Sequence, residues 1–128
     1  MAIRIRNITL DCADPFTLAN FWAEVTGFGE DPDNGNEPDD PEALLLAPDG
    51  SLALLFIGVA DRKAVKNRVH LDLVPTDRPR DAEVDRLEAL GATVVGDHRK
   101  ADGSGWVTLA DPEGNEFCVE RSDAERTS

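Results

Sequence analysis

The stretch NITLDCADPFTLANFWAEVTG, Asn7 to Gly27, decides the fold. Ile8, Leu10 and Cys12 alternate with Asn7, Thr9 and Asp11, the period-two pattern of a half-buried strand, which we extend over Ile3–Cys12. Asp14-Pro15 reads as a helix N-cap followed by proline at the first helical position. Leu18, Phe21, Trp22 and Val25 follow at helical spacing, and Gly27 is placed to stop the helix.

Working outward, residues 30–42 carry acids, Pro, Asn and Gly with no base and no apolar residue, and read as an exposed loop. Two strands follow, about 43–47 and 52–59, joined by Pro48-Asp49-Gly50-Ser51. After a basic connector (Arg62, Lys63, Lys66, Arg68) the pattern begins again. Val69, Leu71 and Leu73 alternate with His70 and Asp72, and Val84, Leu87 and Leu90 share a face of a helix over 80–90 that stops at Gly91. A short strand at 92–95 and a hairpin of 106–110 with 116–121, turning through Asp111-Pro112-Glu113-Gly114-Asn115, complete it.

The two halves therefore repeat. Aligning Asp14 with Asp77 lays Asn7 on His70, and aligning Gly50 with Gly114 lays Leu54 on Cys118. The layout is α+β, two βαβββ-type modules at about 1–60 and 67–121 within one domain over 1–122, with a further short strand near Phe28 and a frayed tail at 123–128. One helix per sheet leaves one sheet face uncovered, and two such curved sheets enclose a shared trough, where small ligands bind.

The formal charge of −13 argues against nucleic acid and anionic membrane surfaces. No apolar run approaches the ~20 residues that cross a bilayer. Cys12 and Cys118 lie in apolar strand runs without a spaced framework, which favours reduced buried thiols in a cytoplasmic protein. The acidic run 31–37 has its glycine one place short of the EF-hand pattern and lacks the flanking helices, so it reads as a solvated loop.

These residues resemble the vicinal oxygen chelate superfamily, which includes glyoxalase I, the bleomycin- and fosfomycin-resistance proteins and extradiol dioxygenases. The resemblance runs from Ile8-Thr9-Leu10-Asp11-Cys12-Ala13-Asp14-Pro15 through Val69-His70-Leu71-Asp72-Leu73 to Asp111-Pro112-Glu113-Gly114-Asn115-Glu116-Phe117-Cys118, and is nearest to the small glyoxalase-like domain proteins. It implies a homodimer and a metal held from the sheet faces that polarises vicinal oxygens of a substrate. Carried across by the repeat, the four ligand positions are Asn7, Leu54, His70 and Cys118. Only His70 is the usual ligand type, so no metal is expected, and His70 would hold it if one binds.

His70 and Asp72, two apart on a strand, point to the same side, with His70 as an acid–base group. Glu116 and Glu120 share a face with Cys118, and either would replace the missing acid through a register shift, Glu116 being the one assigned a catalytic role with His70. Asn7, Thr9, Asp11, Asp72 and Cys118 would form a polar ligand floor, with Phe56 and Trp106 as its apolar wall. His98 reads as exposed loop. The expected function is small-molecule binding with a degenerate metal site, non-catalytic or drug-sequestering. The alternative is a metal-dependent lyase or isomerase acting on a vicinal dioxygen compound, with a divalent metal as cofactor.

Overall fold

The computed structural model describes residues 2–126 and divides into two compact units, Met1–Lys63 and Ala64–Ser128. The first contains β1 (Asn7–Cys12), α1 (Pro15–Thr26), β2 (Glu42–Leu46) and β3 (Ala53–Gly58). Its sheet has the order β1-β3-β2, with β1 parallel and β2 antiparallel to β3. Beyond β2, Gly29 exchanges backbone hydrogen bonds with Leu46 at 3.0 and 2.7 Å. The short strand expected near Phe28 is thus reduced to a single bridge.

The second unit contains β4 (Asp72–Leu73), α2 (Arg80–Leu90), β5 (Thr93–Asp97), β6 (Trp106–Ala110), β7 (Glu116–Glu120) and α3 (Asp123–Arg126). Its order is β4-β7-β6-β5 with β4 parallel to β7. With the Gly29 bridge counted as a strand, the two units have one topology. The repeat read from sequence is a repeat of structure.

Helix α1 forms as its residues dictate. The Asp14 carboxylate accepts from the Thr17 N–H at 3.2 Å and from its hydroxyl at 2.8 Å. Gly27, at φ 77°, donates its N–H to Ala23 and closes the other end. Leu18, Phe21 and Trp22 are buried, with the two rings edge to face at 5.6 Å. In β3 the face carrying Leu54, Phe56 and Gly58 is the helix side, since a Cβ on Gly58 would lie 3.4 Å from the Pro15 ring of α1. Ile8, Leu10 and Cys12 share that side by register.

Several sequence expectations are corrected here. The first strand begins at Asn7 rather than Ile3, because residues 2–6 pair with no strand and leave Ile3 and Ile5 exposed. β4 is two residues long, because the β7 ladder reaches only Asp72 and Leu73, and Val69 stands 79% exposed. Phe56 and Leu54 face the helix, so Phe56, fully buried, is core and not a ligand wall. The one-residue change of register between the halves explains the error: β1 sets Ile8 against Leu54, whereas β4 sets Asp72 against Cys118. The acidic loop is also less free than its composition implies. The Asn36 side chain donates to the Leu44 carbonyl and accepts from its N–H, both at 2.9 Å.

Of the tail expected to fray at 123–128, residues 123–126 form α3 and are anchored, and residues 127–128 lie outside the described residues. Ser122 and Glu125 form a capping box, in which Ser122 Oγ accepts from the Glu125 N–H at 3.1 Å and Glu125 accepts from the Ser122 N–H at 2.8 Å. The same carboxylate accepts from Arg80 N–H at 2.7 Å, capping α2, whose own N-cap is Pro79 with no side-chain acceptor. These backbone donors, Ser122 first and then Arg80, hold the Glu125 carboxyl below its ordinary range.

Two outcomes follow. Trp22→Ala loses about 3–5 kcal/mol of stability in urea titration, whereas exposed Trp106→Ala changes it by less than about 1 kcal/mol. A depressed folded pKa means that the Glu125 contribution is complete above the unfolded glutamate value and lost as pH falls through the folded one. Glu125→Gln should cost about 1 kcal/mol near neutrality, and the gap to wild type should close in acid. Amide exchange at Arg80 and Ser122 reads the same loss.

Candidate functional site

In the second unit the sheet has two unlike faces. Val107, Leu109, Phe117 and Val119 are almost fully buried on the side of Val84 and Leu87 from α2. Trp106, Thr108, Glu116, Cys118 and Glu120 alternate onto the opposite face, with Asp72 beside Cys118 by register. There they line a groove of about 570 Å³ together with Lys66, His70, His98 and Lys100.

The pairing of β6 with β7 is set by the turn between them. Buried Asp111 accepts from the N–H groups of Glu113 at 2.9 Å and Asn115 at 3.0 Å, and from the Asn115 amide. This side chain makes Asp-Pro-Glu-Gly-Asn one defined turn, with Gly114 at φ 90°. Thr108 then stands opposite Cys118, with Oγ1 and Sγ 3.4 Å apart, and Trp106 opposite Glu120.

Three metal-type donors converge on this face. One ligand atom each of His70, Asp72 and Cys118 lies within 4.8 Å of the other two. His70 Nδ1 is 3.4 Å from Asp72 Oδ1, and both side chains are about half exposed, while Cys118 is buried in the sheet. Glu116 is held at the groove edge, its carboxylate accepting the Asn67 N–H at 3.0 Å. Glu120 pairs with Arg126 at 2.5 Å.

The far wall is aromatic, with Trp106 where it was expected and His98 where it was not. His98 stacks on Trp106 at 4.8 Å between ring centroids, with the planes 26° apart, so it is a groove residue and not plain loop. The backbone permits this only at Gly105. With φ at 90°, a Cβ there would sit 2.0 Å from the His98 carbonyl oxygen. Gly96 leaves room for the same ring, since a Cβ there would lie 2.9 Å from His98 Nε2, and neither glycine announces a stack in the sequence. The hairpin carrying His98 is braced by Arg99, which reaches Asp97 at 2.7 Å and Asp81 at 2.8 Å. The Arg99 guanidinium holds the Asp97 carboxyl down to about 2.

Of the residues singled out in the sequence, His70, Asp72, Trp106, Glu116 and Cys118 meet in this groove. Asn7, Thr9 and Asp11 lie in the first unit, on the β1 face away from Ile8 and Leu10, and Asn7 Nδ2 donates to Thr9 Oγ1 at 2.8 Å. Phe56 is on neither surface. Neither Cys12 nor Cys118 is in a disulfide and both are buried, with Cys12 Sγ 3.5 Å from the Ile57 carbonyl. No helix among the described residues is long and apolar enough to cross a membrane.

Comparison with known proteins agrees with this architecture. The profile of the glyoxalase-like domain matches residues 7–120, and the chain belongs to that family. No protein of curated function matches it significantly. A glyoxalase/bleomycin resistance protein/dioxygenase family enzyme from Burkholderia phytofirmans PsJN superposes with a TM-score of 0.68 at 18% identity, covering 92% of this chain and 98% of that one. The fosfomycin resistance protein FosX of Listeria monocytogenes gives 0.71 at 19% identity, over 98% of this chain and 97% of its own. A point mutant of FosX, solved with Mn(II) and 1S,2S-dihydroxypropylphosphonic acid, gives 0.69 at 15% identity, over 98% and 97%. At these identities the likeness is one of fold.

A hard cation such as Mn(II) wants several oxygen donors. The ligand positions transferred by the repeat do not supply them: Leu54 is apolar and faces α1, Asn7 is engaged with Thr9, and Cys118 offers sulfur. Those four positions do not fit that ion.

Asp111→Ala strands its buried N–H partners and should cost about 2–3 kcal/mol. Loss of the cross-strand Thr108–Cys118 and Trp106–Glu120 proximities in NMR spectra would accompany it.

Proposed function

We propose that this glyoxalase-like protein binds a small organic molecule in the groove of its second unit, without the hard-metal chemistry of its structural relatives. The observation that carries the reading is the composition of that groove: a His98–Trp106 wall facing a polar side of His70 and Asp72, in a volume suited to one drug-sized ligand. Trp106 supplies stacking area, and His70 and Asp72 supply directional hydrogen bonds. The overall charge of −13 favours neutral or cationic ligands, in keeping with a sequestering role. In the first unit Asn7, Thr9 and Asp11 offer a further polar surface for ligand contact. A homodimer in the cytoplasm, where both thiols stay reduced, completes the reading. Light scattering tests the dimer.

Gathering of His70, Asp72 and Cys118 favours a second reading, a lyase or isomerase acting on a vicinal dioxygen compound. There the His70 imidazole, oriented by Asp72, would transfer the proton, with Glu116 as the partnering carboxyl group.

The test is a panel of small organic cations and vicinal diols, including the dihydroxypropylphosphonate that FosX was solved with, scored by thermal shift and tryptophan fluorescence. A true ligand quenches Trp106 emission, and Trp106→Ala weakens it at least about tenfold. Ligands indifferent to both Trp106→Ala and His70→Ala would refute the groove as the site. Turnover of a panel compound, lost in His70→Ala, would decide for the enzyme.

A further inference from the structure

We infer that Arg80, at the start of α2, is the positioning residue of the groove's aromatic wall: its buried guanidinium fixes the Gly105–Trp106 peptide and so holds Trp106 against His98. The consequence for ligand binding rests on the function proposed above. The positioning itself does not, and is tested on the ligand-free chain.

Arg80 is an arginine almost wholly inside the protein, only 5% exposed. Among the described residues its guanidinium makes one hydrogen bond, from Nη1 to the Gly105 carbonyl at 3.1 Å, and its buried Nε makes none. Asp81 Oδ1, 3.8 Å from Nε, is beyond hydrogen-bond reach. A buried guanidinium with a donor unmet costs stability, and an apolar side chain of similar volume would fill the same space at less cost. What arginine supplies here and an apolar residue cannot is the donor to Gly105.

That bond acts on the residue that follows. The peptide group is planar, so fixing the Gly105 carbonyl also sets the direction of the Trp106 N–H and of the Cα that carries the indole. The Trp106 carbonyl accepts from the His98 N–H at 2.9 Å, so the tryptophan backbone is held on both sides. Gly105 is where such a tie is needed. A Cβ there would meet the His98 carbonyl oxygen, which requires glycine, and glycine has the widest choice of other backbone angles. The Arg80 bond removes that freedom.

The next residue of α2 braces the other strand. Asp81 accepts from Arg99 Nη1 at 2.8 Å, and Arg99 directly follows His98. The first turn of the helix thus grips both sides of the hairpin that presents the stack. The two grips are unequal: the Asp81–Arg99 pair lies in solvent and is screened, whereas the Arg80 bond is shielded from water. Arg80 is fixed in turn from the tail, its N–H donating to the Glu125 carboxylate at 2.7 Å.

The experiment reads the stack by NMR on the purified full chain. The chain has two histidines, so the ring C–H signals of His98 are assigned against those of His70. The Trp106 ring current displaces the His98 signals, and Trp106→Leu gives their unstacked positions. Arg80→Met, which keeps a similar volume and removes the donor, should carry the His98 signals most of the way to those positions. The signals of His70 and of the Leu109 methyls should stay in place, marking an intact sheet. Arg80→Lys restores a donor and should recover part of the displacement, and Asp81→Asn should move the His98 signals little.

A folded Arg80→Met chain with its His98 signals at the native positions would overturn the proposal. So would equal displacement in the Met and Lys variants, or a larger one in Asp81→Asn. If neither Arg80 variant folds, the native chain decides. Its Arg80 guanidinium protons should be resolved, slow to exchange with water and in nuclear Overhauser contact with Gly105, and a freely rotating, fast-exchanging guanidinium would overturn the proposal. None of these measurements involves an organic ligand, so the positioning of the wall and the binding of a molecule against it fail separately.

Discussion

The buried carboxylate of Asp111 is the constraint on which the site depends. It satisfies two backbone N–H groups and the Asn115 amide in the turn between β6 and β7. A buried donor left without an acceptor is costly, so the turn has one conformation and the hairpin one register. A slip of one residue would turn one strand over against the other, sending either Trp106 and Thr108 or Cys118 to the helix side and bringing core residues of that strand to the surface. Both the groove and the core behind it follow from this register.

The two units show how one plan diverges. Both run strand, helix and antiparallel strands, with the first strand parallel to the last. In the first unit the strand after the helix has shrunk to the Gly29 bridge, and the following acidic loop is tied back through Asn36. In the second that strand is full length, but the opening strand has dwindled to two residues. The short β4 leaves His70 outside the ladder, half-exposed with its Nδ1 3.4 Å from Asp72 Oδ1.

Relatives of this fold include one solved with Mn(II), an ion served by hard oxygen donors. In this chain the groove carries the Cys118 thiol, the His70 imidazole and the carboxylates of Asp72, Glu116 and Glu120 beside the His98–Trp106 stack.

Much of the fold was legible in residues alone. The Asp14-Pro15 cap, the helical spacing through Trp22, the Gly27 and Gly91 stops and the Asp111–Asn115 turn are local signals, each satisfied within a few residues of chain. The capping box of Ser122 and Glu125 was equally local and was passed over, and with it the anchored tail. The face to which Leu54 and Phe56 turn was not legible, because it depends on a parallel register between strands far apart in sequence, and one residue of offset reverses every side chain. Nor was the His98–Trp106 stack, which exists because glycine at 105 admits a close backbone approach that no periodicity encodes. Sequence by itself determined the elements and their repetition, since those rest on short-range hydrogen bonds and apolar spacing. Tertiary structure decided which residues share a surface, since that rests on long-range strand pairing.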